Sequence, residues 1–386
     1  MWLATLPVTS NGKLDRKALP APTHLSQEGR TPQTASEIAV AALYARVLQS
    51  QTPISAEDDF FALGGHSLLA AQLALAIRQE LQRACTLGAI FEHATVATLA
   101  RYLDGQDAGA SAVQDNAGFG PVITLRHAES PLPALFCIHP AGGLSWCYRN
   151  LARAIAPVRT VYGLQAQALD PALADAAPAS LAAMAAVYAD TVQRLQPTGP
   201  YHLLGWSVGG IIVQAMAVEL ARRGAHVGTV ALLDAYPSDV WRDQPEPPPE
   251  AFYKALLHIA GHDPALLPDV ALNHDGVIGF LRRSGHPLGE LPPERLEGVI
   301  QAVASSNKLV RGHHHQRYAG PVLYFRAGLD HVGENLSPEQ WLPHVGLLDS
   351  HEVQALHAQL TGAEATAVIS PILNAALLAT DGSSQS

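Results

Sequence analysis

The stretch Leu203-Leu-Gly205-Trp-Ser207-Val-Gly209-Gly restricts the fold of this chain more than any other. It matches G-x-S-x-G, with an apolar run before it and the helical pattern Ile211 to Arg223 after it. A serine in that setting sits on a sharp strand-to-helix turn that lifts its hydroxyl above a sheet. A glycine turn without chemistry is the competing reading, and the flanking strand and helix weigh against it. Phe136 to His139, Val161 to Leu164, Tyr201 to Gly205, Val227 to Leu233 and Val322 to Phe325 are further short runs of β-formers. Helical segments such as Leu181 to Leu195 separate several of them, which predicts a largely parallel, doubly wound sheet.

A serine hydroxyl is a poor nucleophile until a base takes its proton and an acid orients that base. In a fold of this kind the chain order is Ser, then Asp, then His. Asp234 ends the run Val230-Ala-Leu-Leu and is the leading acid, ahead of Asp349 and Asp330. For the base, His351 and His357 both stand near the C-terminus. His357 follows the expected strand Glu352-Val-Gln-Ala and precedes a closing helix, which suits a strand end. Charge on a tetrahedral intermediate needs fixed donors. The Val208 N–H, next to the serine, is one; the Ala141 N–H, in the loop His139-Pro-Ala-Gly-Gly, is the second. The proline after His139 marks that histidine as loop architecture.

The 386 residues suit one small and one mid-sized domain. Polar, proline-rich sequence at Pro20 to Gln33 and small, acidic sequence at Asp104 to Gly120 read as linkers. Between them, Thr34-Ala-Ser-Glu37 is a capping box opening a helix through about Gln49, with Ile38, Leu43, Tyr44, Val47 and Leu48 as its apolar face. A second helix starts near Ser67 and a third spans about Val96 to Leu103, giving a small all-α bundle. Asp58-Asp-Phe-Phe-Ala-Leu-Gly-Gly-His-Ser67 leads into the second helix, whose N-terminus favours a phosphate. Taken alone, Ser67 reads more readily as a helix cap. A net charge of −10 with no basic run argues against nucleic acid. Three scattered cysteines argue against a disulfide framework and suit a cytosolic setting. No apolar stretch approaches a membrane span. His313, His314 and His315 read as an exposed loop rather than a metal site.

The Ser67 string resembles the DxFFxLGGHSL attachment motif of peptidyl carrier domains. That likeness implies 4′-phosphopantetheine on Ser67, attached by a separate phosphopantetheinyl transferase. Leu6 to Leu19, including Lys13, resembles the last core motif of adenylation domains. It implies adenylation and condensation domains upstream in the parent protein. The region from Val122 onward resembles type I thioesterases of nonribosomal peptide synthetases, within the α/β-hydrolase fold. The likeness rests on the HPAGG loop, GPYHLLGWSVGG, LLDAYP, SPEQW and the C-terminal histidine segment. It selects His357 over His351 as base and implies a mobile lid at about 237–312. Trp206 departs from the tyrosine often found before the serine.

The organisation expected is thus an adenylation stub (1–20), a linker (21–33), a carrier (34–104), a linker (105–120) and a thioesterase (121–380). The function implied is release of a peptidyl thioester by macrolactonisation or hydrolysis, with a siderophore as the product the likeness leans towards. The rivals are a free-standing lipase or esterase fused to a helical domain, and a carrier fused to an inactive hydrolase-like scaffold.

Overall fold

The computed structural model describes residues 29–381, apart from 51, 66, 87–88, 91–92, 106–118, 171–172, 174–176, 331–334 and single or paired positions between 243 and 292. The adenylation-like stub and most of both linkers lie outside the described residues.

The helical bundle comprises α1 (Ala35–Val47), α2 (Ser67–Leu81) and α3 (Val96–Asp104). Thr34 caps α1 as expected, with Glu37 completing a capping box. Leu43, Tyr44, Phe60, Leu73, Ile77 and Leu99 form the buried centre, and the Tyr44 hydroxyl donates to the Ala94 carbonyl at 2.9 Å. Ile38 does not join this face; it is 55% exposed.

The second unit is built on seven strands: β1 (Val122–Arg126), β2 (Leu135–Ile138), β3 (Val161–Leu164), β4 (Tyr201–Trp206), β5 (Val227–Leu233), β6 (Tyr318–Ala327) and β7 (Val345–Val353). They run in the order β1-β3-β2-β4-β5-β6-β7. Only β1 is antiparallel to its neighbour; Gly205 pairs with Leu232, and Leu233 with Phe325. Helices α4 (Arg149–Ala154), α5 (Leu181–Leu195) and α6 (Val208–Arg222) occupy the crossovers. Successive strand residues point to opposite faces. Phe136, Leu203, Val230, Leu232 and Tyr324 therefore pack with α5 and α6, while Leu135, Leu204, Ala231, Leu233 and Phe325 join the core on the other side.

Between β5 and β6 the chain leaves the sheet for α7 (Asp239–Arg242), α8 (Glu250–Ile259), α9 (His274–Arg283) and α10 (Pro293–Arg311). These helices fill the span 237–312 for which the resemblance implies a lid. The last helix, α11 (Ala363–Asp381), corrects the expectation that no segment is apolar enough to span a membrane. By length and composition it qualifies, yet Ile369, Leu373 and Leu377 lie in the protein core. Its end is fixed where Asp381 receives both terminal nitrogens of fully buried Arg159, at 3.0 and 2.7 Å.

Phe119 and Gly120, assigned to the linker on composition, are part of the packed unit. Phe119 is 6% exposed against Trp146, and the Gln165 amide donates to the Gly120 carbonyl at 2.9 Å.

Candidate active site

Ser207 stands between β4 and α6 with φ 58° and ψ −128°, a strained conformation for a residue with a side chain. The turn closes only because its neighbours lack Cβ atoms. A Cβ on Gly205 would meet the Gly209 backbone carbon at 2.2 Å, and one on Gly209 would meet the Ile138 carbonyl oxygen at 2.4 Å. Tyr148 supports the turn from outside: its hydroxyl accepts from Trp206 N at 2.8 Å and donates to the Ile138 carbonyl at 2.6 Å. Val208 is the first residue of α6, so its N–H has no carbonyl one turn back to bond.

Asp234 follows β5 directly, at φ 43° and 1% exposed. Its carboxylate accepts from the His357 imidazole (Nδ1, 2.7 Å), the Tyr236 hydroxyl (3.0 Å) and the Ala327 amide (3.1 Å). An ionised carboxylate only accepts, so this contact assigns the proton to Nδ1 and leaves Nε2 with its lone pair. Burial, then the Asp234 charge, raise the Tyr236 hydroxyl well above the usual tyrosine range, which keeps it a donor. The His357 backbone N–H bonds the Asp330 carboxylate, and its ring lies 5.3 Å from that of Trp206, centroid to centroid.

Ser207, Val208, Asp234 and His357 line one cavity of about 330 Å³, together with Ala141. The insertion supplies the apolar wall through Trp241, Ala251, Phe252, Ala255, Val303 and Val310. Ser306 ties the insertion to the loop by donating to the Ala141 carbonyl at 3.2 Å. The structure therefore brings together all five residues expected at the thioesterase site. Ser67 is elsewhere, at the first position of α2. Gly64 precedes it at φ 96°, and Gly65 packs so tightly that a Cβ would meet the Phe60 carbonyl at 2.3 Å.

The other candidates take structural roles. Asp330 holds the His357 backbone, and Asp349 pairs with His351 at 3.2 Å. His139 is buried between the Pro140 carbonyl and the Tyr188 hydroxyl, each at 2.7 Å, and burial lowers its pKa to about 4. The histidine triplet is not simply an exposed loop. His314 is exposed, but half-buried His315 accepts from Ser238 N at 3.0 Å and bonds Gln214 at 2.8 Å, anchoring the start of the insertion. Tyr236 and Ala327 were not expected in the site, although Tyr236 stands within the quoted LLDAYP string; Asp330, weighed as an alternative acid, instead holds the His357 backbone.

The thioesterase domain family matches residues 133–375, and the phosphopantetheine attachment site family matches 39–103. A dimodular nonribosomal peptide synthase of Bacillus subtilis is 37% identical over 371 residues, covering 95% of this chain and 15% of that protein. Enterobactin synthase component F of Escherichia coli K12 is 31% identical over 381 residues, covering 98% of this chain and 27% of that one. The chain thus spans less than a third of either relative. A solved four-domain nonribosomal peptide synthetase in its holo form, bound to AMP and glycine, superposes with a TM-score of 0.60 at 24% identity, over 97% of this chain and 28% of that one. A NocB thioesterase domain, in covalent complex with a fluorophosphonate nocardicin G analogue, matches with TM-score 0.50 at 23% identity, over 67% of this chain and all of that one (100%). At such identities the structural likeness concerns the fold.

Proposed function

Because the chain belongs to the thioesterase domain family and bears a phosphopantetheine attachment domain ahead of that unit, we propose that it ends an assembly-line peptide synthesis. Its thioesterase removes a peptidyl chain from its own carrier, with Ser207 as nucleophile, His357 as base and Asp234 as orienter. The observation carrying this reading is the Asp234–His357 contact at 2.7 Å beside a serine on a strained elbow, all in one cavity. A scaffold without activity would gain nothing from the strain stored at Ser207.

Ser67 is the residue that would hold the 4′-phosphopantetheine. Its place at the start of α2 suits the phosphodiester, and exposed Gly64, with open space where a side chain would stand, leaves the backbone accessible to another protein, while Gly65 is packed against Phe60. When bound, the group supplies a thiol that carries the acyl chain as a thioester. At the second site, Nε2 of His357 takes the proton from Ser207 Oγ as the oxygen bonds to the acyl carbon. The Val208 and Ala141 N–H groups hold the resulting oxyanion. Collapse expels the thiolate, His357 returns the proton to sulfur, and the acyl chain remains on Ser207. His357 then deprotonates the second nucleophile as it bonds to the acyl carbon, and gives that proton to Ser207 Oγ as the acyl–oxygen bond breaks, restoring the hydroxyl.

That second nucleophile is water in hydrolysis and the chain's own hydroxyl or amine in macrocyclisation. The apolar wall formed by the insertion favours a nucleophile carried in by the substrate over bulk water. The resemblance to enterobactin synthase component F extends the proposal to a siderophore released as a lactone. Upstream adenylation and condensation domains, a phosphopantetheinyl transferase and a cytosolic location complete it. The test is single turnover on the full chain after loading from an acyl-CoA by a phosphopantetheinyl transferase. One arm should appear on Ser67, and acyl release should stop in Ser207→Ala while loading persists. Release at the parent rate in that variant would refute the assignment.

A further inference from the structure

The carrier rests on the thioesterase through a contact that the release chemistry does not use. Phe61, in the loop leading to Ser67, points its ring at two guanidinium groups of α4. The Arg149 guanidinium carbon lies 4.7 Å from the ring centroid and that of Arg153 5.0 Å. Phe61 also meets Phe60 edge to face at 5.3 Å between centroids, which fixes its direction. Its partner Phe60 is wholly buried in the carrier, whereas Phe61 is only partly buried. The two adjacent phenylalanines have therefore divided the work: one builds the carrier core and the other reaches the next domain.

The cations are unusual in turn. Arg149 is half-buried, and its Nη1 has no hydrogen-bond partner among the described residues. Burial, then the neighbouring Arg153 cation, lower its pKa, while the carrier carboxylate Asp59 opposes them. Two like charges on one helical turn repel each other, and an aromatic face between them offers both a favourable surface. Arg149 directly follows Tyr148, whose hydroxyl receives the Trp206 N–H at 2.8 Å beside Ser207. The carrier helix α2 also touches the turn at Pro287–Glu290 of the insertion. The seat thus adjoins the tyrosine that supports the elbow and a turn of the insertion.

Resting on the reading of Ser207 as the releasing nucleophile, we propose that Phe61, gripped by Arg149 and Arg153, is the docking latch through which the thioesterase recognises an acyl chain borne by its carrier. The latch sets which thioesters reach the cavity efficiently. It takes no part in bond making.

The experiment compares two substrates on the full-length protein: an octanoyl chain loaded on Ser67 from octanoyl-CoA, and free octanoyl-N-acetylcysteamine, which needs no docking. Phe61→Ala should slow release of the carrier-borne chain by about tenfold, the scale of two cation–π contacts at partly exposed sites. Turnover of the free thioester and the rate of loading should stay at the parent level. Phe61→Tyr keeps the ring and should restore release. Arg153→Met, at an exposed position and hence safe for folding, leaves Arg149 on the ring and should give part of the defect, about threefold, and adding it to Phe61→Ala should cost little more. Unchanged carrier-borne release in both single variants would overturn the proposal. An equal loss on both substrates would also overturn it, because it would make Phe61 a structural residue. Failure of the Ser207 reading looks different: free thioester turnover would survive Ser207→Ala.

Discussion

Replacing Asp234 by asparagine separates orientation of the base from packing. The substitution is nearly isosteric. The new Oδ1 can still accept from the Tyr236 hydroxyl, now at 3.0 Å, and from the Ala327 amide, now at 3.1 Å. Only the third partner fails. The asparagine NH₂ would face His357 Nδ1 across 2.7 Å, and two N–H groups cannot bond each other. The imidazole must then give up its Nδ1 proton and carry it on Nε2, where no lone pair remains for Ser207. In the serine proteases this change of tautomer costs about 10⁴ in kcat, or roughly 5.4 kcal/mol of barrier. The fold keeps two of the three hydrogen bonds, so stability should change by only about 1 kcal/mol. Steady-state turnover of a free acyl thioester, alongside a denaturant melt, reads both quantities. A kcat within tenfold of the parent, with stability intact, would refute the claim that Asp234 fixes the tautomer.

Further outcomes concern the frame. Asp381→Ala strands the Arg159 guanidinium, which is fully buried, and should cost about 3–5 kcal/mol in denaturant unfolding; a loss under 1 kcal/mol would mean water reaches that pair. Gly205→Ala forces a Cβ to 2.2 Å from the Gly209 backbone carbon, so it should destabilise by about 1–3 kcal/mol and abolish turnover, whereas normal turnover would show that the elbow can widen. Stability should also fall with acidity. Burial holds His139 and His202 at about 4, below the ordinary 6.5, so between those values each binds a proton when unfolded but not when folded. Stability is therefore lost as the pH drops through that window, by up to about 1.4 kcal/mol per pH unit for each histidine. A thermal midpoint that stays flat from about pH 7 to pH 4.5 would contradict this.

What could be read from the residues, and what could not, follows from how far each feature depends on neighbours. The central strands β2 to β5 are buried on both faces and announce themselves as continuous apolar runs. The edge strands do not. In β7 the sequence VGLLDSHEV is buried mainly at its ends, so only a fragment displaced to Glu352–Ala355 was legible, and His351 falls within the strand. The antiparallel edge β1 shows alternating burial over five residues, too short a pattern beside a glycine-rich stretch to stand out. Ile38 was misplaced because a helical period locates a face only to within a residue or two. Ser207 and Asp234 were legible because local turn chemistry marks them. The supporting shell was not, since the Ala327 amide, the Asp330 carboxylate and the Arg149–Phe61 contact depend on segments brought together by the sheet order and by the meeting of two domains.

The most direct test of the account is to stop a single turnover of an acyl thioester with acid and locate the acyl group by peptide mass spectrometry. The account predicts an ester on Ser207, accumulating in the burst phase and missing from Ser207→Ala. An acyl group on any other residue, or turnover with no ester at any time, would contradict it.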